Sequence, residues 1–216
     1  NIVLAPNSAQ EMCDLTMDAF DLAFKYRNPT FILTDGFIGQ MMEPVSYKEP
    51  RMEFPREDWA VYGDLESKKN LISSIFLDPD ELEEHNRQLQ KKYELIQQKE
   101  LRYESYHLDD AKLVVIGYGI VSRMVRSAID QLRGEGLKVG MLRPITIFPF
   151  PKNEIKELAN HGVAFLVTEM SNGQLLEDVR LATEFKVPVY FYNRMGGNVP
   201  STEELYEQIK LHYQKS

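Results

Sequence analysis

Arg143 and Glu169 are the charged residues best placed for chemistry, because each closes a short apolar run and opens a loop. Arg143 is followed by Pro144 and by Phe148-Pro149-Phe150-Pro151, a segment that must be extended and rigid. A guanidinium fixed there can hold a carboxylate or a phosphate through two hydrogen bonds. It can equally pair with an acid across a domain contact, and Glu169 is the obvious candidate. Glu169 itself opens the loop Glu169-Met170-Ser171-Asn172-Gly173-Gln174. Asn172 and Gly173 suit a sharp turn, and a helix start at Gln174 offers donors to an anion or simply completes an ordinary turn. Arg194-Met195-Gly196-Gly197-Asn198 is a loop whose paired glycines permit backbone shapes closed to other residues.

Gly117-Tyr118-Gly119 invites a dinucleotide-binding reading. The full fingerprint needs a third glycine, where Ser122 stands, and an acid after the second strand, where Arg143 stands. A tight turn explains both glycines more simply. There is no Gly-x-Ser-x-Gly, no Walker loop and no metal-spaced histidine pair, and His85, His107, His161 and His212 are scattered. These residues support a binding edge, with no catalytic set and no metal site.

The elements that hold these loops read as α/β. Residues 109–216 form a self-sufficient domain with strands at Lys112–Ile116, Leu137–Leu142, Val163–Val167 and Val187–Tyr192. Helices are expected after Gly119 and at 152–160, 174–184 and 202–214, the last opened by a capping box of Ser201 and Glu204. A strand–loop–helix series implies a mostly parallel sheet covered on both faces, with one edge strand free to run antiparallel. Residues 1–42 read as one βαβ unit, its helix started by Ser8 and Glu11 and stopped at Asn28-Pro29. Two strands and one helix cannot bury a core. The unit is therefore expected to be the end of a larger domain, or else to join the sheet of the second half. Residues 43–78, with Pro44, Pro50 and Pro55, read as an interdomain strap that Trp59 and Tyr62 pin to a neighbouring surface. Residues 79–106 read as one long helix with a narrow stripe of Leu82, Leu89, Tyr93, Ile96 and Tyr103.

The chain has 216 residues and a net charge of −8, with no basic cluster to meet nucleic acid. No apolar run is long enough to span a membrane. The lone Cys13 excludes an internal disulfide or a cysteine-bound cluster within this chain, and fits a reducing, cytoplasmic setting.

Several strings resemble the alpha subunit of 2-oxoacid:ferredoxin oxidoreductases. They are Ala5-Pro6-Asn7-Ser8-Ala9-Gln10-Glu11-Met12, Asp35-Gly36-Phe37-Ile38-Gly39-Gln40-Met41-Met42-Glu43-Pro44, the stretch from Arg143 to Pro151, Glu169 to Gln174, and Arg194 to Pro200. Gly39 to Pro44 and Leu77 to Asn86 carry a finer similarity to the 2-oxoisovalerate (3-methyl-2-oxobutanoate) type. The resemblance covers essentially the whole chain.

It implies a three-layer, mostly parallel domain like the C-terminal domain of transketolase over 109–216. It further implies a remnant of a thiamine-pyrimidine-binding domain over 1–42 and a linker with a long helix over 43–108. The implied reaction is oxidation of a 2-oxoacid with coenzyme A to acyl-CoA and carbon dioxide, with ferredoxin as acceptor. Thiamine diphosphate, magnesium and iron–sulfur clusters serve the complete complex, and none is expected on this chain alone. The implied partners are a beta subunit, gamma and delta subunits as further candidates, and ferredoxin indirectly. Together with their position after parallel strands, the resemblance marks Arg143, Thr146, Glu169, Ser171, Asn172, Gly173, Arg194, Gly196, Gly197 and Asn198 as an edge facing substrate or another subunit. A noncatalytic assembly module and a nucleotide- or CoA-binding domain are the competing readings.

Overall fold

The computed structural model describes residues 1–47 and 56–216. Pro50 and Pro55 of the expected strap lie outside the described residues. The chain divides into two compact units, one of residues 1–46 with 96–216 and one of residues 47–95.

The first unit contains two sheets. Strands β1 (Ile2–Leu4) and β2 (Thr30–Ile32) run parallel on either side of helix α1 (Ala9–Tyr26) in sequence. They do not join the main sheet. Instead β1 recruits an antiparallel strand, β6 (Thr146–Phe148), from beyond the second expected strand, giving the order β2-β1-β6. Ser8 caps α1 by accepting from Glu11 N at 3.1 Å, but the expected capping box is half formed. The Glu11 carboxylate accepts from Asn7 N at 2.9 Å and from Arg143 rather than from the Ser8 backbone. Tertiary pairing with a buried cation outcompetes the local bond.

The second sheet has the order β3-β5-β4-β7-β8. Its strands are β3 (Tyr103–Tyr106), β4 (Leu113–Ile116), β5 (Val139–Pro144), β7 (Ala164–Glu169) and β8 (Val189–Asn193). All neighbours run parallel except the edge strand β3, which is antiparallel to β5. Leu113 and Val115 point to one face, where helices α3 (Ile120–Gly134) and α6 (Thr202–Tyr213) pack. Val114 and Ile116 point to the other, where α4 (Lys152–Asn160) and α5 (Gln174–Ala182) pack. Burial on both faces is why these strands read as unbroken apolar runs. The result is the expected three-layer α/β architecture. Ser201 and Glu204 form both bonds of their capping box.

The long helix α2 runs Pro79–Lys99 and does not reach residue 106. Glu100 ends it, drawn into a buried position by Lys25 Nζ at 2.6 Å and Tyr26 Oη at 2.5 Å. The chain then extends into β3, whose period of two, Tyr103-Glu104-Ser105-Tyr106, begins just where the helical stripe seemed to continue.

In the second unit, residues 56–70 form a loop closed by polar contacts. Ser67 N donates to Asp64 at 2.6 Å, and Asn70 Nδ2 donates to the carbonyls of Asp58 and Ala60 at 2.6 and 2.9 Å. Tyr62 lies under Arg56 at 4.2 Å, and its hydroxyl accepts from Glu57 N, so it serves its own loop. Residues 71–77 form neither helix nor strand. The start of α2 is set by Asp78, whose Oδ1 accepts from Asp80 N at 2.8 Å.

Candidate functional site

From β4 the chain passes to β5 on one side, and β7 lies on the other, so the carboxyl ends of β4 and β7 flank a topological switch point. Ligands of open α/β sheets bind in such crevices. A cavity of 150 Å³ lies there. Tyr118 and Val121 follow β4 into it, Glu169, Met170 and Ser171 follow β7, and Leu33, Thr34 and Asp35 arrive from the end of β2. The carboxyl ends of strands from both sheets therefore share one crevice.

Two carboxylates organise it. Glu169 is 3% exposed and stands before the start of α5, accepting from Leu175 N at 3.2 Å, from Leu176 N at 3.3 Å and from the Ser171 hydroxyl. Helix-start amides compensate its charge. Asp35 does the same for α3, accepting from Ile120 N at 2.9 Å, while its other oxygen takes Ile38 N at 2.8 Å. Gly119 has φ 62°, and a Cβ there would sit 2.6 Å from Asp35 Oδ2, so both the conformation and the space demand glycine. Ser122 is buried, donates to Gly119 O at 2.7 Å and accepts from Asn7 Nδ2 at 3.3 Å. This geometry overturns the dinucleotide reading of Gly117-Tyr118-Gly119. The helix start that would receive a phosphate already holds a carboxylate.

Burial pushes the Tyr118 phenol up, and the Glu169 charge adds to the effect, against a hydrogen bond with Ser171 that lowers it. The phenol is thus a protonated donor across the neutral range.

The expected edge residues separate into two groups. Ser171 and Glu169 line the cavity. Gly173 precedes α5 with φ 103°, and Asn172 N donates to the Gln174 side chain at 2.9 Å. The 194–198 loop is tied alongside: Asn193 Nδ2 donates to Ser171 O at 2.8 Å and Arg194 N to Glu169 O at 3.2 Å. The Arg194 side chain pairs with Glu204 on α6 at 3.1 Å. Gly196 and Gly197 have φ 66° and 86° with open space around them, and Asn198 Nδ2 donates to Met195 O at 3.2 Å.

Arg143 and Thr146 lie elsewhere. Arg143 is 2% exposed and pairs with Glu104 at 2.9 Å and with Glu11. The expected partner Glu169 is out of reach because β4 separates β5 from β7. Strand β5 also runs past Leu142 to Pro144, which places Arg143 opposite Glu104 on β3. Thr146 is buried, accepting from Arg102 N at 3.0 Å and donating to Arg102 O at 3.2 Å. Asp35 and Tyr118 are site residues that sequence reasoning did not single out. The signal for Asp35 was an acid closing a strand before glycine, but its target helix begins 85 residues later.

A larger hollow of 590 Å³ opens at the opposite, amino edge of the sheet, between Asp109, Asp110, Glu154, Glu157 and His161. It lies away from the switch point, and Asp110 is already paired with Arg133 at 2.8 Å.

The chain matches two family models in succession. Residues 1–105 match "Pyruvate flavodoxin/ferredoxin oxidoreductase, thiamine diP-binding", and residues 111–205 match "Pyruvate:ferredoxin oxidoreductase core domain II". It is 54% identical to ketoisovalerate oxidoreductase subunit VorB of Methanothermobacter thermautotrophicus, over 97% of this chain and 60% of that protein. It is 32% identical to 2-oxoglutarate synthase subunit KorA of Methanocaldococcus jannaschii, over 94% of this chain and 62% of that protein. The chain thus spans about 60% of the length of these relatives. In fold it is similar to the 2-oxoglutarate:ferredoxin oxidoreductase of Magnetococcus marinus, with a TM-score of 0.79 and 21% identity over 99% of this chain and 42% of that one. It is also similar to a split-gene transketolase, with a TM-score of 0.52 and 12% identity over 99% of this chain and 57% of that one. The chain belongs to the 2-oxoacid:ferredoxin oxidoreductase family.

Proposed function

We propose that this chain is part of the alpha subunit of a thiamine-diphosphate-dependent oxidoreductase that converts a branched-chain 2-oxoacid and coenzyme A to acyl-CoA, with ferredoxin as acceptor. The observation that carries the reading is the 54% identity to a ketoisovalerate oxidoreductase subunit along 97% of the chain. In this reading residues 1–42 complete a pyrimidine-binding domain, 43–108 link it onward, and 109–216 form the domain like that of transketolase. The exposed Phe20 and Phe24 on α1, and the exposed Phe31 and Leu33 on and beside the edge strand β2, support a larger domain around the first segment.

The chemistry of the cofactors belongs to other parts of the complex. Among the described residues no group of three or more His, Cys, Asp or Glu side chains is placed to hold a metal. One cysteine cannot bind an iron–sulfur cluster. The crevice presents the carboxylates of Asp35 and Glu169 and does not fit a diphosphate. The chain's own role in this reading is to build the edge of the active site and to organise a beta subunit, with gamma and delta subunits as further candidates, in the cytoplasm. No helix among the described residues is long and apolar enough to cross a membrane.

The test is reduction of ferredoxin or methyl viologen with 2-oxoisovalerate and coenzyme A. The complete alpha subunit with its partners is compared with the same complex assembled with this chain. Activity with the complete subunit alone is the expected result. Equal activity with this chain would show that the cofactor groups are not placed as proposed, and a preference for 2-oxoglutarate or pyruvate would overturn the branched-chain assignment.

A further inference from the structure

Three separate stretches of residues 1–46 converge on the first turn of α3. Asp35, after β2, accepts from Ile120 N at 2.9 Å. Asn7, after β1, donates through Nδ2 to the Ser122 hydroxyl at 3.3 Å. Glu43 pairs with Arg123 at 2.7 Å, and its second oxygen accepts from Ala9 N at 3.0 Å, so it joins the starts of α1 and α3. An apolar contact accompanies these polar ones. Ile38 is buried in one core cluster with Ile120, Val121 and Val125.

The turn has little slack. Gly119 has no room for a Cβ against Asp35, so the entry to α3 and the carboxylate fit closely. Two further attachments stand apart from this turn. Strand β1 pairs with β6, with Ala5 N donating to Ile145 O at 2.8 Å, and Glu11 of α1 meets the buried Arg143. Domains of one chain move against each other by default unless their interface is extensive and apolar. Here the two family matches, 1–105 and 111–205, are tied by a strand ladder, ion pairs and a buried side chain.

We propose that the first turn of α3 is a lock that holds residues 1–46 and the five-stranded sheet as one rigid body, so that the crevice between Asp35, Tyr118 and Glu169 is preformed and does not open and close. Tyr118 and Val121 flank or belong to the locked turn, while Leu33, Thr34 and Asp35 belong to the stretch that locks it. The walls of the crevice therefore move only together. A ligand or a neighbouring chain meets a cleft of fixed width, whatever substrate the enzyme takes.

The experiment is native-state hydrogen exchange of the full chain in rising urea, read residue by residue by NMR. Helix-start amides lack an intrahelical partner and exchange fast unless another group takes them. Ile120 N is nevertheless expected to be as protected as the amides of β4, and the amides of β1 and β4 are expected to open within about threefold of each other. In Asp35→Ala/Glu43→Ala the amides of β1 are expected to open at least about tenfold more often than those of β4. Arg123→Gln, which removes only a half-exposed partner, should act in the same direction by about threefold, and decides the matter if the double variant does not fold. Fast exchange at Ile120 in the unaltered chain overturns the lock, as does a β1 that already opens at least about tenfold more often than β4. Variants that leave both strands unchanged, or that loosen both equally, overturn it too, since Asp35 and Glu43 would then not be what joins them.

Discussion

The two compact units answer opposite questions about charge and apolar surface. In the first, charged groups go inside and are met there. Arg143 is enclosed by Glu11 and Glu104, Glu100 by Lys25 and Tyr26, and Asp35 and Glu169 each stand before a helix start. In the second, polar groups close a small loop on itself while Leu71, Ile72, Ile75 and Leu77 face outward. A buried charge left unmet costs several kcal/mol, so these charges must find their partners within the first unit. An exposed aliphatic side chain costs its owner little, and its burial becomes favourable only against another surface. The first unit answers its buried charges internally, and the second leaves an aliphatic strip exposed.

The sharpest way to break the comparison is to remove the cation at the centre of the first unit. Arg143→Met leaves Glu11 and Glu104 facing a side chain that cannot answer them, and should cost about 3 kcal/mol in urea unfolding. Substrate and coenzyme A Michaelis constants in the complete enzyme should then change only as far as the loss of folded protein requires. A variant of undiminished stability with a raised Michaelis constant would return Arg143 to the ligand edge. Gly119→Ala should be next in size, about 2 kcal/mol, since the alanine must hold a positive φ and press on Asp35. Asp35→Ala should cost about 1 kcal/mol as a lost helix cap. If the two act through one contact, the double variant is less destabilised than the sum.

How far the sequence revealed this structure depends on the range of each interaction. The parallel strands β4, β5, β7 and β8 were legible because burial on both faces leaves continuous apolar runs bounded by glycine, proline and polar residues. Their placement in a three-layer fold followed. Strand β3 was not legible, because Leu101 and Tyr103 carry on the apolar spacing of α2, and only the tertiary bond at Glu100 stops the helix. The same limit applied at the site. The loops after β7 and β8 lie next to one another, as their position after parallel strands implied, because sheet topology alone brings them there. Arg143 lies apart from them because its partner Glu11 is 132 residues away, which no local pattern records. Equally, the Ser201–Glu204 box formed in full while Glu11 was diverted from Ser8, and the difference between them is a single distant guanidinium.

A smaller effect is expected at Glu100, and it depends on pH. Burial pushes this carboxyl up, but the hydrogen bonds from Lys25 and Tyr26 outweigh it and hold the group below its ordinary value of 4.5. A lowered carboxyl contributes stability that is complete above the ordinary value and is lost as pH falls through the lowered one. Glu100→Gln should therefore cost about 1 kcal/mol at neutral pH, discounted because Lys25 is largely exposed. The gap between the two proteins should close in acid. A gap that widens as pH falls would mean that Glu100 is stabilised in its protonated form, and that the first unit does not meet its buried charges as described.

The smallest effect is the most informative about the second unit. Ile75→Ala in the isolated chain should change unfolding free energy by no more than about 0.5 kcal/mol, because the side chain gives up little burial. Ile129→Ala, inside the face where α3 meets the sheet, removes a fully buried side chain and should cost about 3 kcal/mol. The same chemical change then differs about sixfold between the two units. Equal costs at the two positions would mean that Ile75 is as well packed as Ile129, and the contrast between the two units would disappear.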